Sequence, residues 1–387
     1  MSNTGWKEVR LEDICTDVYS GGTPKSNEAS FYDGDIPWLN TKEVNFGRIH
    51  STEKNITQKG YDNSSAKWVP ANAVIVAMYG ATAGRVAISK IKLTTNQACC
   101  NLIINPEKAD YNFVYYFLLH NYKHIASMAN GGAQQNLNAG QIKDYKIPLP
   151  PLAEQQRIAS ILGSLDDKIE LNNKINRNLE EQAQALFKNW FVDFAPFGGN
   201  MPAGWKRGKL SDIAKFEKEK IEVSRLTEFS YYSTENMLPD KAGVCPASSL
   251  PNVSQTTRCY PGETIVSNIR PYFKKVYFCT EELAGCSTDV LCFKPRKASL
   301  AIYNYCSLCQ DDFFYYVLNG AKGTKMPRGD KSQMMKFAVC IPPEEVLQKF
   351  AAMVAPMLQK VDGNRNENRC LAVLRNALLP KLVNGTA

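Results

Sequence analysis

The segment GWKEVRLEDICT, residues 5–16, recurs 199 residues later as GWKRGKLSDIAKF, residues 204–216. A second match lies further along the chain. IPLPPLAEQQRIASIL, which begins at Ile147, aligns with CIPPEEVLQKFAAMV, which begins at Cys340, when their proline pairs are superimposed. Each copy therefore has a similar start, a middle of different length and a similar end. This pattern predicts two copies of one structural plan in a single chain.

The end of each copy has the residue spacing of a long coiled-coil helix. In the first copy, apolar residues three or four positions apart extend from Ile158 to Trp190, with a polar interruption at Asn172. The second copy keeps this register, and its interruption is Asn364. A helix of roughly 38 residues is ~57 Å long and cannot bury its apolar stripe alone. We therefore predict that the two helices pack against each other, antiparallel because a pseudo-twofold axis relates the copies.

The residues through which the two helices are predicted to pack, called the seam below, follow a pattern with one irregularity. Pro356 lies within the second helix and is expected to kink it or to end its first segment. Such a helix pair would hold two similar domains at a fixed separation, which suits a polymeric ligand with two sites; the simpler alternative is that the helices only join the domains. The predicted seam consists of Ile158, Leu162, Leu165, Ile169, Asn172, Ile175, Leu179, Leu186, Phe350, Val354, Met357, Val361, Asn364, Leu371 and Leu378.

The composition is that of a globular protein. The 387 residues are 44% hydrophobic and 22% charged, which is enough for two domains with separate cores. The N-terminus has no apolar signal region, and the most apolar stretch, residues 73–88, is interrupted by Gly80, Gly84 and Arg85. We therefore predict a cytoplasmic protein without a membrane span.

The cysteines and histidines do not form a pattern typical of a metal site. Nine of the twelve cysteines follow residue 240 without regular spacing, which favours buried free thiols. Cys306 and Cys309 form a single CxxC pair without a second pair or a nearby histidine, so a metal site there is a weak alternative. His120 and His124 lie in an aromatic helical stretch and are interpreted as helix surface. We predict no metal site.

Motifs that carry catalytic chemistry are missing from the sequence. It contains no phosphate-binding GxxxxGK[ST] loop, no HExxH and no GxSxG. A DNA amino-methyltransferase would need a Pro-Pro-aromatic tetrad with a polar first residue, whereas the Pro-Pro pairs here read LPPL and IPPE. We therefore predict a chain that is not itself an enzyme.

The variable middles combine β-rich segments with polar and aromatic loops. Residues 1–200 carry no net charge and residues 201–387 carry the whole excess of +8, a distribution that suits nucleic acid but also an ordinary solvated surface. Asn, Gln, Lys and Arg on loops suit contacts with base edges and phosphates. The candidate DNA contacts are Lys25, Lys42, Arg85, Gln134, Gln135, Asn136 and Asn138 in the first copy, and Arg225, Arg258, Asn268, Arg270, Lys274, Lys322, Lys325 and Arg328 in the second.

Three segments, together with the duplication, resemble the specificity subunits of type I restriction-modification enzymes. They are SGGTPKSNEASFYDGDIPWLNTKEV (residues 20–44), GGAQQNLN (residues 131–138) and the proline-led helical segment 147–191. The second copy departs from the pattern, since it lacks the GGTP and IPW motifs and has IPPEEVLQKF in place of PPLAEQQRI. The resemblance covers essentially the whole chain.

The resemblance implies an α+β fold with two pseudo-symmetric target recognition domains, each mixed α/β with a β-rich core, separated by two long antiparallel coiled-coil helices. The implied divisions are target recognition domain 1 (1–152), a central spacer helix (153–194), a linker (195–203), target recognition domain 2 (204–343) and a C-terminal spacer helix (344–387). Each domain would recognise one half of a bipartite, asymmetric site in double-stranded DNA.

The resemblance also implies partners. Two methylation subunits would dock on the helices and supply S-adenosylmethionine, and restriction subunits would supply ATP- and Mg-dependent activity, with no cofactor in this chain. Two other functions stay open at this point. An assembly scaffold would contact DNA without sequence preference, and a DNA-modifying enzyme would act without partners.

Overall fold

The computed structural model describes residues 6–129 and 136–386. These residues form two compact units. Unit 1 comprises the described residues up to 170 together with 368–386, and unit 2 comprises residues 171–367. Both units contain helices and sheets, which confirms the mixed class predicted from the sequence.

Unit 1 is built on two sheets of four or five strands and a two-stranded ribbon. The strands are β1 (Lys7–Arg10), β2 (Cys15–Ser20), β3 (Tyr32–Leu39), β4 (Arg48–Ile49), β5 (Lys54–Ile56), β6 (Trp68–Val69), β7 (Val74–Ala77), β8 (Val86–Ser89), β9 (Leu93–Thr95), β10 (Cys99–Ile104) and β11 (Lys146–Leu149). The short helices are α1 (Gln58–Asp62), α2 (Tyr111–His120), α3 (Tyr122–Ser127) and α4 (Ala139–Lys143). The sheets have the orders β2-β10-β7-β8-β4, β5-β3-β9-β6 and β1-β11.

Unit 2 repeats this design with a different set of side chains. After the long helix α5 (Leu152–Phe191), its strands are β12 (Lys206–Lys209), β13 (Ala214–Phe216), β14 (Lys220–Glu222), β15 (Tyr231–Tyr232), β16 (Gln255–Cys259), β17 (Thr264–Ser267), β18 (Val276–Phe278), β19 (Ala284–Cys286), β20 (Val290–Pro295) and β21 (Ala338–Ile341). Its helices are α6 (Leu210–Ile213), α7 (Ala301–Leu308), α8 (Asp311–Asn319), α9 (Lys331–Met334) and the long α10 (Glu344–Val383). The sheets are β13-β20-β17-β18, β14-β16-β19-β15 and β12-β21.

The repeated sequence ends pair with each other inside each unit. In unit 1, β1 lies antiparallel to β11, with Lys7 opposite Leu149. In unit 2, β12 lies antiparallel to β21, with Lys206 opposite Ile341. The similar start and the similar end of each copy therefore form the same two-stranded ribbon.

The core of unit 1 lies between the five-stranded sheet and the helix α2. Strands β7 and β8 are buried along their whole length because they lie in the middle of the sheet, and their sequences, VIVA and VAIS, lack charged residues. Helix α2 begins at the N-cap Asp110, whose Oδ1 accepts the backbone N–H groups of Asn112 at 2.9 Å and Phe113 at 3.0 Å. The buried side chains of α2, from Phe113 to Leu118, join those of the sheet in one hydrophobic cluster.

The two long helices each contribute residues to both units. In unit 1, Ile158 and Leu162 of α5 share a core with Leu382 of α10. In unit 2, Phe187 and Phe191 of α5 lie with Phe350 of α10, and the Phe191 and Phe350 rings are 4.9 Å apart. The long helix predicted from the heptad spacing is confirmed. Pro356 lies inside α10, so the expectation that it could end the helix is wrong.

Residues 195–203, interpreted from the sequence as a linker, belong to unit 2 and pack in part against its core. A 3-10 turn covers Ala195–Phe197, and the Phe197 ring lies 4.9 Å from that of Trp205. Phe194 lies 5.9 Å from the same ring. No helix within residues 6–129 or 136–386 combines the length and apolar character needed to cross a bilayer.

All twelve cysteines are free thiols, and eight of them are buried. Of the CxxC pair, Cys306 lies in α7 and Cys309 directly follows it. Burial raises the pKa of the Cys309 thiol to about 12, so this group is neutral at ordinary pH. Among the described residues, no group of three or more ligands has the geometry to hold a metal ion.

Candidate nucleic-acid interface

One turn in unit 1 and one in unit 2 have the same place in the fold. In unit 1, residues 78–85 connect β7 to β8, and the Ala77 N–H donates to the Arg85 carbonyl at 2.9 Å. In unit 2, residues 268–275 connect β17 to β18, and the Ser267 N–H donates to the Lys275 carbonyl at 3.1 Å. We call these turn 1 and turn 2. Each contains a short 3-10 turn, at Gly80–Thr82 and at Pro271–Phe273.

Each turn is held by the segment that precedes a short helix. In unit 1, the Leu137 N–H donates to the Met78 carbonyl at 2.8 Å, just before α4. In unit 2, the Gly329 N–H donates to the Asn268 carbonyl at 3.2 Å, just before α9. Isolated bridges, Tyr79 with Asn136 and Ile269 with Arg328, repeat the same pairing. The structure thus brings the described residues that lead into α4 and into α9 to the side of a turn.

The two turns share a left-handed backbone but not the residues that occupy it. In turn 1, Gly80 has φ +65° and Gly84 has φ +82°. At the matching places in turn 2, Arg270 has φ +50° and Lys274 has φ +48°. Glycine adopts this conformation freely, whereas another L-residue bears a cost of roughly 1–2 kcal/mol. Turn 2 therefore places two cationic side chains at positions where the fold alone favours glycine.

The surface around turn 2 contains exposed aromatic residues. Tyr272 is 45% exposed and Phe273 is 37% exposed, and their rings lie 4.7 Å apart. Exposed aromatic rings beside basic groups suit stacking on nucleic-acid bases. These two residues are not among the candidates chosen from the sequence, although the segment RPYFKK, in which two aromatic residues are flanked by basic ones, carries the signal.

Three candidate cations around turn 2 are paired with carboxylates. Lys274 Nζ lies 3.1 Å from an Asp311 oxygen, Arg328 lies 3.1 Å from Asp289, and Lys322 lies 3.4 Å from Asp330. The Lys241 ammonium, through a hydrogen bond, and Lys274 lower the pKa of Asp311, so this carboxylate stays charged. Lys325 is exposed on the same loop as Lys322.

Arg270 and Asn268 differ from these paired cations. Among the residues that the structure describes, Arg270 has no carboxylate partner, and its buried Nε atom has no hydrogen-bond acceptor. Asn268 is 8% exposed, and its Oδ1 atom also lacks a partner within the described part of the chain. A buried polar atom without a partner is costly unless a ligand supplies one.

The candidates of turn 1 have mixed roles. The Arg85 guanidinium donates to Asn45 Oδ1 at 2.9 Å and lies 5.7 Å from the centre of the Phe46 ring. Asn138 is the N-cap of α4, since its Oδ1 accepts the backbone N–H of Gln141 at 2.9 Å, so its side chain stabilises the fold. Asn136 is exposed, and Tyr79, which is not among the candidates chosen from the sequence, is 42% exposed. Gln134 and Gln135 lie outside the described residues.

The remaining candidates lie in or beside the sheet β5-β3-β9-β6 of unit 1 and the sheet β14-β16-β19-β15 of unit 2. Lys25 is exposed ahead of β3, and Lys42, which follows β3, forms an ion pair with Glu53. Arg225 is exposed after β14. The Arg258 guanidinium, on β16, lies 4.2 Å from the centre of the Tyr260 ring. The structure therefore divides the candidates into a group at the turns and a group at these two sheets.

The two long helices meet through polar as well as apolar contacts inside unit 2. Asn172 Nδ2 donates to Glu367 Oε2 at 2.8 Å, and the Arg365 guanidinium donates to Glu180 Oε1 at 2.7 Å. Of the predicted seam, Ile158, Leu162, Asn172, Phe350, Val354, Val361 and Asn364 are buried, whereas Leu165, Ile169, Ile175, Leu179, Leu186, Met357, Leu371 and Leu378 are half-buried.

Inside unit 1, a carboxylate joins the two helices to α2. Asp166 accepts hydrogen bonds from Tyr116 Oη and from the Arg375 guanidinium, both at 2.6 Å. Burial, reinforced by the charge of Asp166, raises the pKa of Tyr116, so its hydroxyl is a permanent donor. Arg48, also in unit 1, pairs with Asp167 and lies 3.4 Å from Glu170.

Comparison with known proteins identifies the family. Residues 3–181 match the family model for the type I restriction modification DNA specificity domain. The chain is 30% identical over 417 aligned positions to the type I restriction enzyme MjaIX specificity subunit of Methanocaldococcus jannaschii, which covers 98% of this chain and 93% of the relative. It is 24% identical to the HindI specificity subunit of Haemophilus influenzae, over 73% of this chain and 78% of that relative.

A solved structure has the same fold. The S subunit of a type I restriction-modification system from M. genitalium superimposes with a TM-score of 0.61 at 18% identity, covering 99% of this chain and 97% of the other. The chain belongs to the specificity subunits of type I restriction-modification systems, the subunits responsible for DNA sequence recognition.

Proposed function

We propose that the two halves of this chain recognise the two different halves of a split DNA site. The observation that carries the proposal is the pair of equivalent turns. The same backbone presents Gly80 and Gly84 in unit 1 but Arg270 and Lys274 in unit 2. A shared scaffold with different side chains at matching positions suits two half-sites that have different sequences. The two target recognition domains proposed here are residues 1–152 and 204–343.

The long helices α5 and α10 are proposed to set the gap between the half-sites as an antiparallel coiled coil. Inside unit 2, the partners of α5 residues have falling numbers along α10: Asn172 contacts Glu367, and Phe187 lies 6.1 Å from Phe350 between ring centres. Buried polar pairs in such a seam specify register at some cost in stability. Half-site centres about one helical turn of DNA apart, ~34 Å, place both domains on one side of the duplex.

The catalytic steps are proposed to belong to partner subunits. The sequence lacks nucleotide-binding and methyltransferase motifs, and the described residues hold no cluster of metal ligands. In this proposal, two methylation subunits dock on the helices with S-adenosylmethionine, and restriction subunits add ATP- and Mg-dependent activity. The chain itself then needs no cofactor, and it directs the complex to its site.

The experiment that tests the proposal is selection from a randomised duplex library at fixed salt. The full chain is used with and without its methylation partner, and the enriched sequences are determined. A split motif with a constant gap supports the proposal. Binding without an enriched motif would instead indicate an assembly scaffold whose DNA contact is nonspecific electrostatics. Methyl transfer by the chain alone would contradict the assignment of catalysis to a partner.

A further inference from the structure

The backbone of Arg270 and the inner part of its side chain are fixed in place by neighbouring groups. Its backbone N–H donates to the Pro327 carbonyl at 2.8 Å, and its carbonyl accepts the N–H of Phe273 at 3.0 Å. The following residue is Pro271, which restricts the turn further. Because its Nε atom is buried, the inner end of the guanidinium is enclosed by the protein. Both the backbone and the base of the side chain are therefore positioned before any ligand binds.

Three of the cations around Arg270 are paired with carboxylates. Lys274, Lys322 and Arg328 each have a carboxylate within 3.4 Å. Those carboxylates, Asp311, Asp330 and Asp289, offset the positive potential that attracts a DNA backbone. Arg270 is not neutralised in this way by any described residue. Lys275 and Lys325 leave positive charge near the turn, but the guanidinium of Arg270, with its enclosed Nε atom and fixed backbone, favours a ligand with two acceptors in one plane.

The edge of a guanine in the major groove is such a ligand. Its O6 and N7 atoms are both acceptors, and arginine contacts them with two parallel hydrogen bonds. We propose that Arg270 recognises a guanine in the half-site bound by unit 2, and that the left-handed backbone at this position is retained because it presents the guanidinium. This inference rests on the proposed function and names one base pair of its DNA site.

Strain at this position provides independent support. The matching residue of turn 1 is Gly80, and a Cβ atom built on it meets no atom within 4 Å. Glycine is therefore favoured there by backbone conformation and not by lack of space. Arginine at a left-handed position of the same turn lowers stability, and strain that persists in a fold commonly serves a functional contact.

The test uses library selection with the full chain and its methylation partner, comparing the parent with Arg270→Lys and Arg270→Gly. Lysine keeps the charge and the backbone strain but lacks the planar fork. We expect Arg270→Lys to reduce the preference for guanine at one base pair by about 5- to 150-fold, with the other half-site unchanged. Arg270→Gly should lose the same preference and unfold at a higher temperature, because it removes the strain.

Lys241→Gly is the matched control. Lys241 is also a cation of unit 2 with a positive φ, +64°, and it lies outside the candidate contacts. This variant relieves a left-handed position but also removes the Lys241–Asp311 ion pair, so its thermal stability should change little, and it should keep the guanine preference. A phosphate contact by Arg270 predicts a different result: uniform weakening across sequences, a salt slope reduced by about one, and little effect of Arg270→Lys. That result would overturn the inference.

The selection also separates failure of this inference from failure of the proposed function. If the parent chain enriches no split motif, the proposed function fails, and the inference fails with it. If the parent enriches a split motif and Arg270→Lys leaves every position of that motif intact, only the inference about Arg270 is wrong.

Discussion

Asn364 Nδ2 donates a hydrogen bond of 2.7 Å to Asn176 Oδ1, and both side chains are buried in unit 2. The heptad spacing identified Asn172 and Asn364 as the two polar interruptions of the seam. In the structure, Asn364 bonds to Asn176, one helical turn beyond Asn172, and Asn172 bonds to Glu367. The polar layer therefore spans two turns of α5, and each of its amides has a specific partner on the other helix.

The Asn176–Asn364 pair provides a prediction about stability. Asn364→Leu removes the donor and leaves a buried Asn176 oxygen without its partner, so it should lower the free energy of unfolding by about 1–3 kcal/mol. Chemical denaturation measures this change. The double variant Asn176→Leu/Asn364→Leu should regain most of the loss, because replacing both partners by apolar groups avoids the desolvation penalty. Additive losses in the double variant would argue against a coupled pair.

The length of the helices should determine the gap in the DNA site. Removing one heptad from α5 between Ile169 and Ala183, and a matching heptad from α10, shortens the pair by ~10 Å, or about three base pairs of DNA. We expect selection to return the same two half-sites with a gap shorter by roughly that amount. An unchanged gap would rule out the helices as its determinant.

The Asp166 contacts should contribute strongly to the stability of unit 1. Arg375→Ala removes one of the two groups that donate to Asp166 and leaves this largely buried carboxylate with the Tyr116 hydroxyl. The expected loss in the free energy of unfolding is about 2–3 kcal/mol. Lys381→Ala, which removes an exposed cation from the same helix, is the matched control and should cost less than ~0.5 kcal/mol. Similar losses in both variants would contradict a specific role for Asp166.

The carboxylate of Glu217 should make stability depend on pH. Burial acts to raise its pKa, but the backbone N–H groups of Glu219 and Lys218 and the Lys294 ammonium outweigh burial and lower the pKa to about 2. A lowered pKa means that the charged form stabilises the fold above the ordinary value near 4.5, and that this contribution is lost as the pH falls towards 2. Glu217→Gln should therefore be less stable than the parent by about 1.5 kcal/mol at pH 7.

The pH dependence distinguishes this charge effect from a packing effect. The difference between the parent and Glu217→Gln, measured by denaturant unfolding, should shrink between pH 4.5 and pH 2. A packing defect would instead give a difference that does not vary with pH. Glu222→Gln, at an exposed position of β14, serves as the control and should show little difference at either pH.

The equivalence of the two turns can be tested by transplantation. Gly80→Arg places a guanidinium at the turn 1 position that matches Arg270, and the site has room for a side chain. We expect the variant to lose roughly 1–2 kcal/mol of stability through its left-handed backbone and to acquire a guanine preference in the half-site of unit 1. Gly80→Ala bears the same strain without the guanidinium. A preference acquired equally by both variants would refute the equivalence.

The repeat and the long helices could be predicted because their signals are periodic. The heptad spacing from Ile158 to Trp190 extends over many turns, and the duplicated starts at Gly5 and Gly204 anchor the alignment. The pairing of β1 with β11 and of β12 with β21 then explains why both ends of each copy are similar in sequence. The architecture could therefore be predicted best where a sequence pattern repeats over many residues.

The details of the turns could not be predicted in the same way. Glycine signals a left-handed turn, and turn 1 carries Gly80 and Gly84, but turn 2 has Arg270 and Lys274 in the same backbone and gives no such signal. Asn138 was selected for its polar side chain, yet that side chain caps α4. Composition predicts which residues can contact DNA. Only the structure shows which of them already form hydrogen bonds with neighbouring backbone groups.

The placement of residues 368–386 in unit 1 affects how this chain folds as it is synthesised. Leu379, Leu382 and Val383 lie in the core of unit 1, but a ribosome that adds about 5–20 residues per second reaches them some 10–40 s after residue 170. Unit 2, formed by the continuous residues 171–367, can complete its core first. A product that ends before residue 368 therefore contains all of unit 2 but lacks the C-terminal part of unit 1. The core of unit 1, unlike that of unit 2, thus depends on residues that are synthesised after the whole of the other unit.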